Sequence, residues 1–201
     1  MQHKTTQTVF GYFNRIRGER SAPLRSEIDP AALKAVLPDI FILEMSRQRE
    51  AYFRLAGTRI CSIMGHELRG ENFVDLWHAP NRHKIRLAVE AVLANQAPLS
   101  VSVRSLADEE PDGTLEMLLM PVFSQPGICD RVMGSLVDLR MPPLLGERHR
   151  ILMAGALHFL APEESSEPEE PPRELAIVTS QLSNASNRTM HLRVLQGGRK
   201  D

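Results

Sequence analysis

Between residues 79 and 139 the apolar residues change period once, and that change limits the fold more than any other feature of the chain. Over 79–95, Ile85, Ala88, Val89, Val92 and Leu93 recur on one face of an amphipathic helix, with Pro80 in its first turn. Beyond it Leu99, Val101 and Val103 alternate with polar residues, Leu115–Phe123 is nearly all apolar, and Val132–Leu139 makes a third run. Runs of this kind are strands. Asp112-Gly113 and Pro126-Gly127 supply the turns between them.

Upstream, Val9, Tyr12, Phe13 and Ile16 predict a helix over 5–19, with Gly18 near its end. Asp29 and Pro30 offer a cap and a first helical residue for a short helix over 30–37, which Pro38 stops. Ile40–Leu43 and Tyr52–Leu55 predict a hairpin of two strands closed by Gly57. A short helix capped by Thr58 carries Ile60, Cys61, Ile63 and Met64 and ends at Gly65, and a further turn holds Phe73, Leu76 and Trp77. The layout is α+β, with a five-stranded antiparallel sheet and flanking helices. After Pro142 and Pro143, residues 144–160 carry Leu145, Leu152, Ala156 and Phe159 and predict a C-terminal helix.

Residues 161–172 hold five glutamates and four prolines and have almost nothing to bury. This gives a helical cap over 1–38, a core over 39–140, a helix over 141–160, and an acidic, Pro-rich linker with a disordered or extended tail over 161–201. A chain of 201 residues suits one domain plus a tail, and its net charge of −1 creates no field that would draw it to nucleic acid or an anionic membrane. Cys61 and Cys129 have neither metal spacing nor the density of a disulfide scaffold, and no apolar run approaches eighteen residues. A cytoplasmic protein with no nucleic-acid or membrane partner is expected.

Four strings carry a resemblance: Pro-Leu-Arg-Ser-Glu-Ile-Asp-Pro at 23–30, Leu-Pro-Asp-Ile-Phe-Ile-Leu-Glu at 37–44, Phe-Arg-Leu-Ala-Gly-Thr at 53–58 and Leu-Arg-Gly-Glu-Asn-Phe at 68–73. Together with the element order they resemble a family of short, stand-alone PAS-like proteins found mainly in alphaproteobacteria. The resemblance covers roughly residues 8–140. It implies a curved sheet around a pocket and a sensory or regulatory role, and it supplies no catalytic motif.

The pocket is expected to be lined by Ile60, Met64, Trp77, Ile85, Val89, Val101, Leu119 and Val137, residues that serve equally well as a solid core. Arg25 and Asp29 lie four apart and could pair at the pocket edge. Capping explains Asp29 more simply, and Arg25 is kept as a polar candidate. His83 is the best-placed histidine for haem, yet it lies between Arg82 and Lys84 at the polar start of a helix, which suits a solvated imidazole. Photoadduct-forming flavin domains use an Asn-Cys-Arg-Phe-type motif, whereas Cys61 sits in Arg-Ile-Cys-Ser-Ile and reads as a core residue. No cofactor and no metal is expected. A cyclic dinucleotide would call for clustered arginines, and the sequence crowds them only at Arg15, Arg17 and Arg20.

No nucleophile elbow, phosphate-binding glycine string or His-Glu-x-x-His occurs, so no enzyme is indicated. The expected function is a sensory or regulatory one, in which a small apolar ligand or a signalling-protein partner biases the terminal helices of a homodimer. The alternative is a ligand-free adaptor that dimerises through its core.

Overall fold

The computed structural model describes residues 1–107, 110–140 and 150–160. Helix α1 spans Lys4–Arg17. His3 caps it by accepting from the Thr5 amide, and Gly18 ends it at φ 57°. Strands β1 (Ile40–Met45) and β2 (Ala51–Ala56) form the hairpin, followed by α2 (Thr58–Met64), a 3-10 turn at Phe73–Leu76, and α3 (Ala79–Asn95). Then come β3 (Leu99–Ala107), β4 (Glu110–Gln125), β5 (Ile128–Asp138) and β6 (Arg150–Phe159). All pairings are antiparallel, in the order β2-β1-β5-β4-β3-β6.

The α+β class and the antiparallel sheet stand as expected, with three local corrections. The segment 30–37 is a chain of tight turns and not an α-helix. Asp29 caps the Ala31 amide at 2.8 Å, i→i+3 bonds run from Leu33 to Pro30 and Val36 to Leu33, and a 3-10 turn follows at Leu37–Asp39. Only Leu33 and Val36 of this stretch are buried, too small an apolar face for packing to hold a full helix. Asp112-Gly113 is no turn: both residues lie inside β4, where Gly113 pairs with Ser105 beside an irregularity in β3.

The third correction adds a strand. The helix expected over 144–160 is β6 from Arg150 onward, so the sheet has six strands and not five. Residues 141–149 and 161–201, with Leu145 and the linker and tail, lie outside the described residues. The apolar residues of 150–159 fit either period, and the open edge of β3 decides between them by offering a ladder of hydrogen bonds. Gly155 weakens a helix, and here it lets two backbones approach, since a Cβ on it would lie 3.1 Å from the Ser102 carbonyl.

The sheet is covered on both faces. On the inner face α2, α3 and the 3-10 turn bury a cluster that includes Phe41, Phe53, Phe73, Trp77, Ile85 and Leu119. On the outer face α1 packs Val9, Phe10, Tyr12 and Phe13 against Ile40, Leu118, Met120, Val122 and Met133. Each such side chain contributes about 1.5–3 kcal/mol by burial, which holds the N-terminal cap on the sheet.

Candidate functional site

Seven of the eight residues expected to line a pocket meet in the inner cluster: Ile60 and Met64 from α2, Trp77 from the end of the 3-10 turn, Ile85 and Val89 from α3, Val101 from β3 and Leu119 from β4. Val137 does not. Strand alternation turns Leu136 inward, and Val137, paired with Glu116, falls on the opposite face. Counting along β5 from the wrong residue exchanges the two faces, because the side-chain period is two.

Between sheet and helices stand four aromatic rings. Phe73 lies 5.8 Å from Phe41, 5.6 Å from Phe53 and 5.8 Å from Trp77, centroid to centroid, in stacked and edge-on contacts. Such contacts are those of a packed core. Where α3 faces the β1–β2 hairpin, a hollow beside Met45, Val74 and Val89 has a volume of about 10 Å³. That is room for a single water.

The strand β6 is tied to this core at several points. Arg150 donates to the Ile63 carbonyl at the end of α2 over 2.7 Å, and the His78 amide donates to the Leu152 carbonyl over 2.9 Å. Asn81 Oδ1 accepts from the Ala154 amide, and Lys84 Nζ reaches the Gly155 carbonyl at 2.7 Å. The beginning of α3 and the residue after Trp77 therefore hold the outer edge of β6.

The polar candidates lie elsewhere. His83 is exposed on α3, directed away from the inner cluster, which is the solvated position its neighbours suggested. Cys61 is half-buried on α2, 3.6 Å from Glu67, and burial pushes its thiol above the ordinary range. Cys61 lies at the rim of the cluster, and Phe73, the residue after Asn72, lies inside it. Among the described residues no three His, Cys, Asp or Glu side chains are grouped to hold a metal. No helix there is long and apolar enough to cross a membrane.

Arg25 does not pair with Asp29. It lines an outer hollow of about 260 Å³ together with Ile42, Arg54, Leu55, Arg69 and Arg131. A bulge in β2 builds one wall: Ile42 pairs with Leu55 and Leu43 with Phe53, so Arg54 is an extra residue, and Arg54 and Leu55 both face outward. Glu44 stands opposite Arg131 across β1 and β5, and its Oε2 accepts from Arg54 Nε and Arg131 Nη1 at 2.6 Å each. The hydrogen bond from Arg131, with the charges of Arg131, Arg54 and Arg25, holds the Glu44 carboxyl below the usual carboxylate range. Sequence reading missed this cluster because its arginines come from four separated segments; only the outward phase of Arg54 beside inward Phe53 hinted at it.

The profile of the PAS domain family matches residues 1–137. The chain belongs to the PAS family. A search of the curated proteins gave no match. Among solved structures the PAS domain is similar to a LOV protein of Rhodobacter sphaeroides, 20% identical over 71% of this chain and 70% of that one, with a TM-score of 0.42. It is also similar to a fungal LOV-domain photoreceptor, 17% identical over 50% of this chain and 74% of that one, with a TM-score of 0.36. A PAS domain is in general a sensory or regulatory unit.

Proposed function

We infer that this PAS protein is a non-enzymatic, cytoplasmic regulator that works by association with a protein partner or a second copy of itself, through the outside of a filled core. The observation that supports this reading is the set of four rings, Phe41, Phe53, Phe73 and Trp77, standing in the space between sheet and helices. A core packed in this way favours the adaptor over a sensor of a small apolar ligand held inside.

The transmitting elements are α1, docked on the outer face, and β6, clamped by Arg150, His78, Asn81 and Lys84. A partner that binds one arrangement of these elements better than another shifts their populations. Native mass spectrometry of freshly purified protein, with an absorption spectrum, tests the reading. A colourless homodimer that retains no apolar molecule is expected; a retained apolar small molecule, or a flavin or Soret band, would return the function to an interior sensor.

A further inference from the structure

We propose that the outer hollow lined by Arg25, Arg54, Arg69 and Arg131 is a binding site for a small phosphorylated metabolite carrying at least two negative charges. Four of its six lining residues are arginines, contributed by the 3-10 turn at Arg25–Glu27, by β2, by the loop after α2 and by β5. Two carboxylates stand against them: Glu44, shared by Arg54 and Arg131, and Asp130, 3.7 Å from Arg131 Nε. The hollow keeps an excess of two positive charges.

Among the described residues neither Arg25 nor Arg69 makes an ion pair with a carboxylate, Arg25 acting on Glu44 only through its charge, and both are exposed at the rim. Gathering four guanidinium groups around one concavity is electrostatically unfavourable unless an anion fills it. The chemistry of the donors selects that anion. A guanidinium presents parallel N–H groups that match two oxygens of a phosphate, and several around one hollow match a diphosphate or a phosphate with a second acidic group. Ile42 and Leu55 add an apolar floor for the uncharged part of the molecule. A volume of about 260 Å³ suits a small metabolite.

The site is separate from the filled interior, so it stands or falls independently of the association reading. Isothermal titration of the full chain with inorganic pyrophosphate, at an ionic strength of about 0.1 M where the Debye length is about 10 Å, tests it. Saturable binding at one site per chain is expected, with a dissociation constant below about 1 mM and at least tenfold weaker binding of orthophosphate. Replacing the two unpartnered side chains, Arg25→Gln with Arg69→Gln, should lower the affinity at least tenfold while leaving the melting temperature unchanged. Removing equal charge from exposed arginines elsewhere, Arg47→Gln with Arg104→Gln, should leave the affinity as it is. No saturable binding, equal binding of the two anions, or equal losses in both double variants would overturn the site.

Discussion

Phe41 lies over the bare α-carbon of Gly134, its partner across β1 and β5: a Cβ at that position would come within 2.2 Å of the ring. The same Cβ would sit 2.7 Å from the Leu118 carbonyl, so no rotation of the ring alone would make room. Gly134 is thus the gap through which Phe41 reaches Phe53 and Phe73. Gly134→Ala should cost about 1–3 kcal/mol, as overpacking does, and lower the melting temperature by about 4 °C per kcal/mol. Calorimetry of the variant checks this, and an unchanged midpoint would contradict the packing described.

Glu44 predicts how stability responds to acid. Its carboxyl is held low in the folded chain by Arg131, so its contribution is fully present above the unfolded value of about 4.3 and is lost as pH falls through the folded pKa. Urea denaturation of the wild type and of Glu44→Gln should show a stability gap at pH 6 that closes towards pH 3. A gap that stays constant would mean that Glu44 acts through something other than its charge.

The sequence made the inner face of this fold legible because strand and helix periods name the buried residues directly: Ile85 and Val89 fall on one stripe of α3, and Val101 and Leu119 on the inward phase of their strands. Two kinds of information were hidden. The residues of β6 are apolar at either period, and only the vacant edge of β3 makes them a strand. The arginine hollow depends on the register of β1 with β5 and on the bulge at Arg54, which are properties of pairing between distant segments.

The filled interior makes its own prediction. Phe73 touches Phe41, Phe53 and Trp77, so Phe73→Ala removes the central ring and should cost about 3–5 kcal/mol. The space left would be apolar and dry, of the kind that takes up benzene. Adding benzene should raise the melting temperature of the variant and leave that of the wild type unmoved. Equal effects on both proteins would show that the wild-type core already has room.

Cys129 is half-buried at the start of β5 beside Asp130, and burial, reinforced by that carboxylate, pushes its thiol up to about 11. At pH 8 it holds about two hundredfold less thiolate than a free cysteine. Greater nucleophilicity of the rarer thiolate recovers part of that loss, leaving alkylation by iodoacetamide about tenfold slower. Mass spectrometry of peptides after timed alkylation should show slow modification of Cys129 in the folded chain and ordinary rates in urea. Rapid modification in the folded chain would place the thiol in solvent.

Arg150 is buried at the first position of β6, and its guanidinium donates to the Ile63 carbonyl at the end of α2. Methionine keeps much of the length and apolar stem of arginine but cannot donate, so Arg150→Met should cost about 1.5–3 kcal/mol. The loss should be local before it is global, because β6 is an edge strand paired with β3, whereas β4 and β5 lie inside the sheet. Hydrogen exchange should therefore quicken at 151–159 in the variant while β4 and β5 keep their protection. If exchange rises evenly across the sheet, β6 is an inseparable part of the core. If it rises at β6 alone, Arg150 is the clasp that sets how readily this strand is released, as a transmitting element requires.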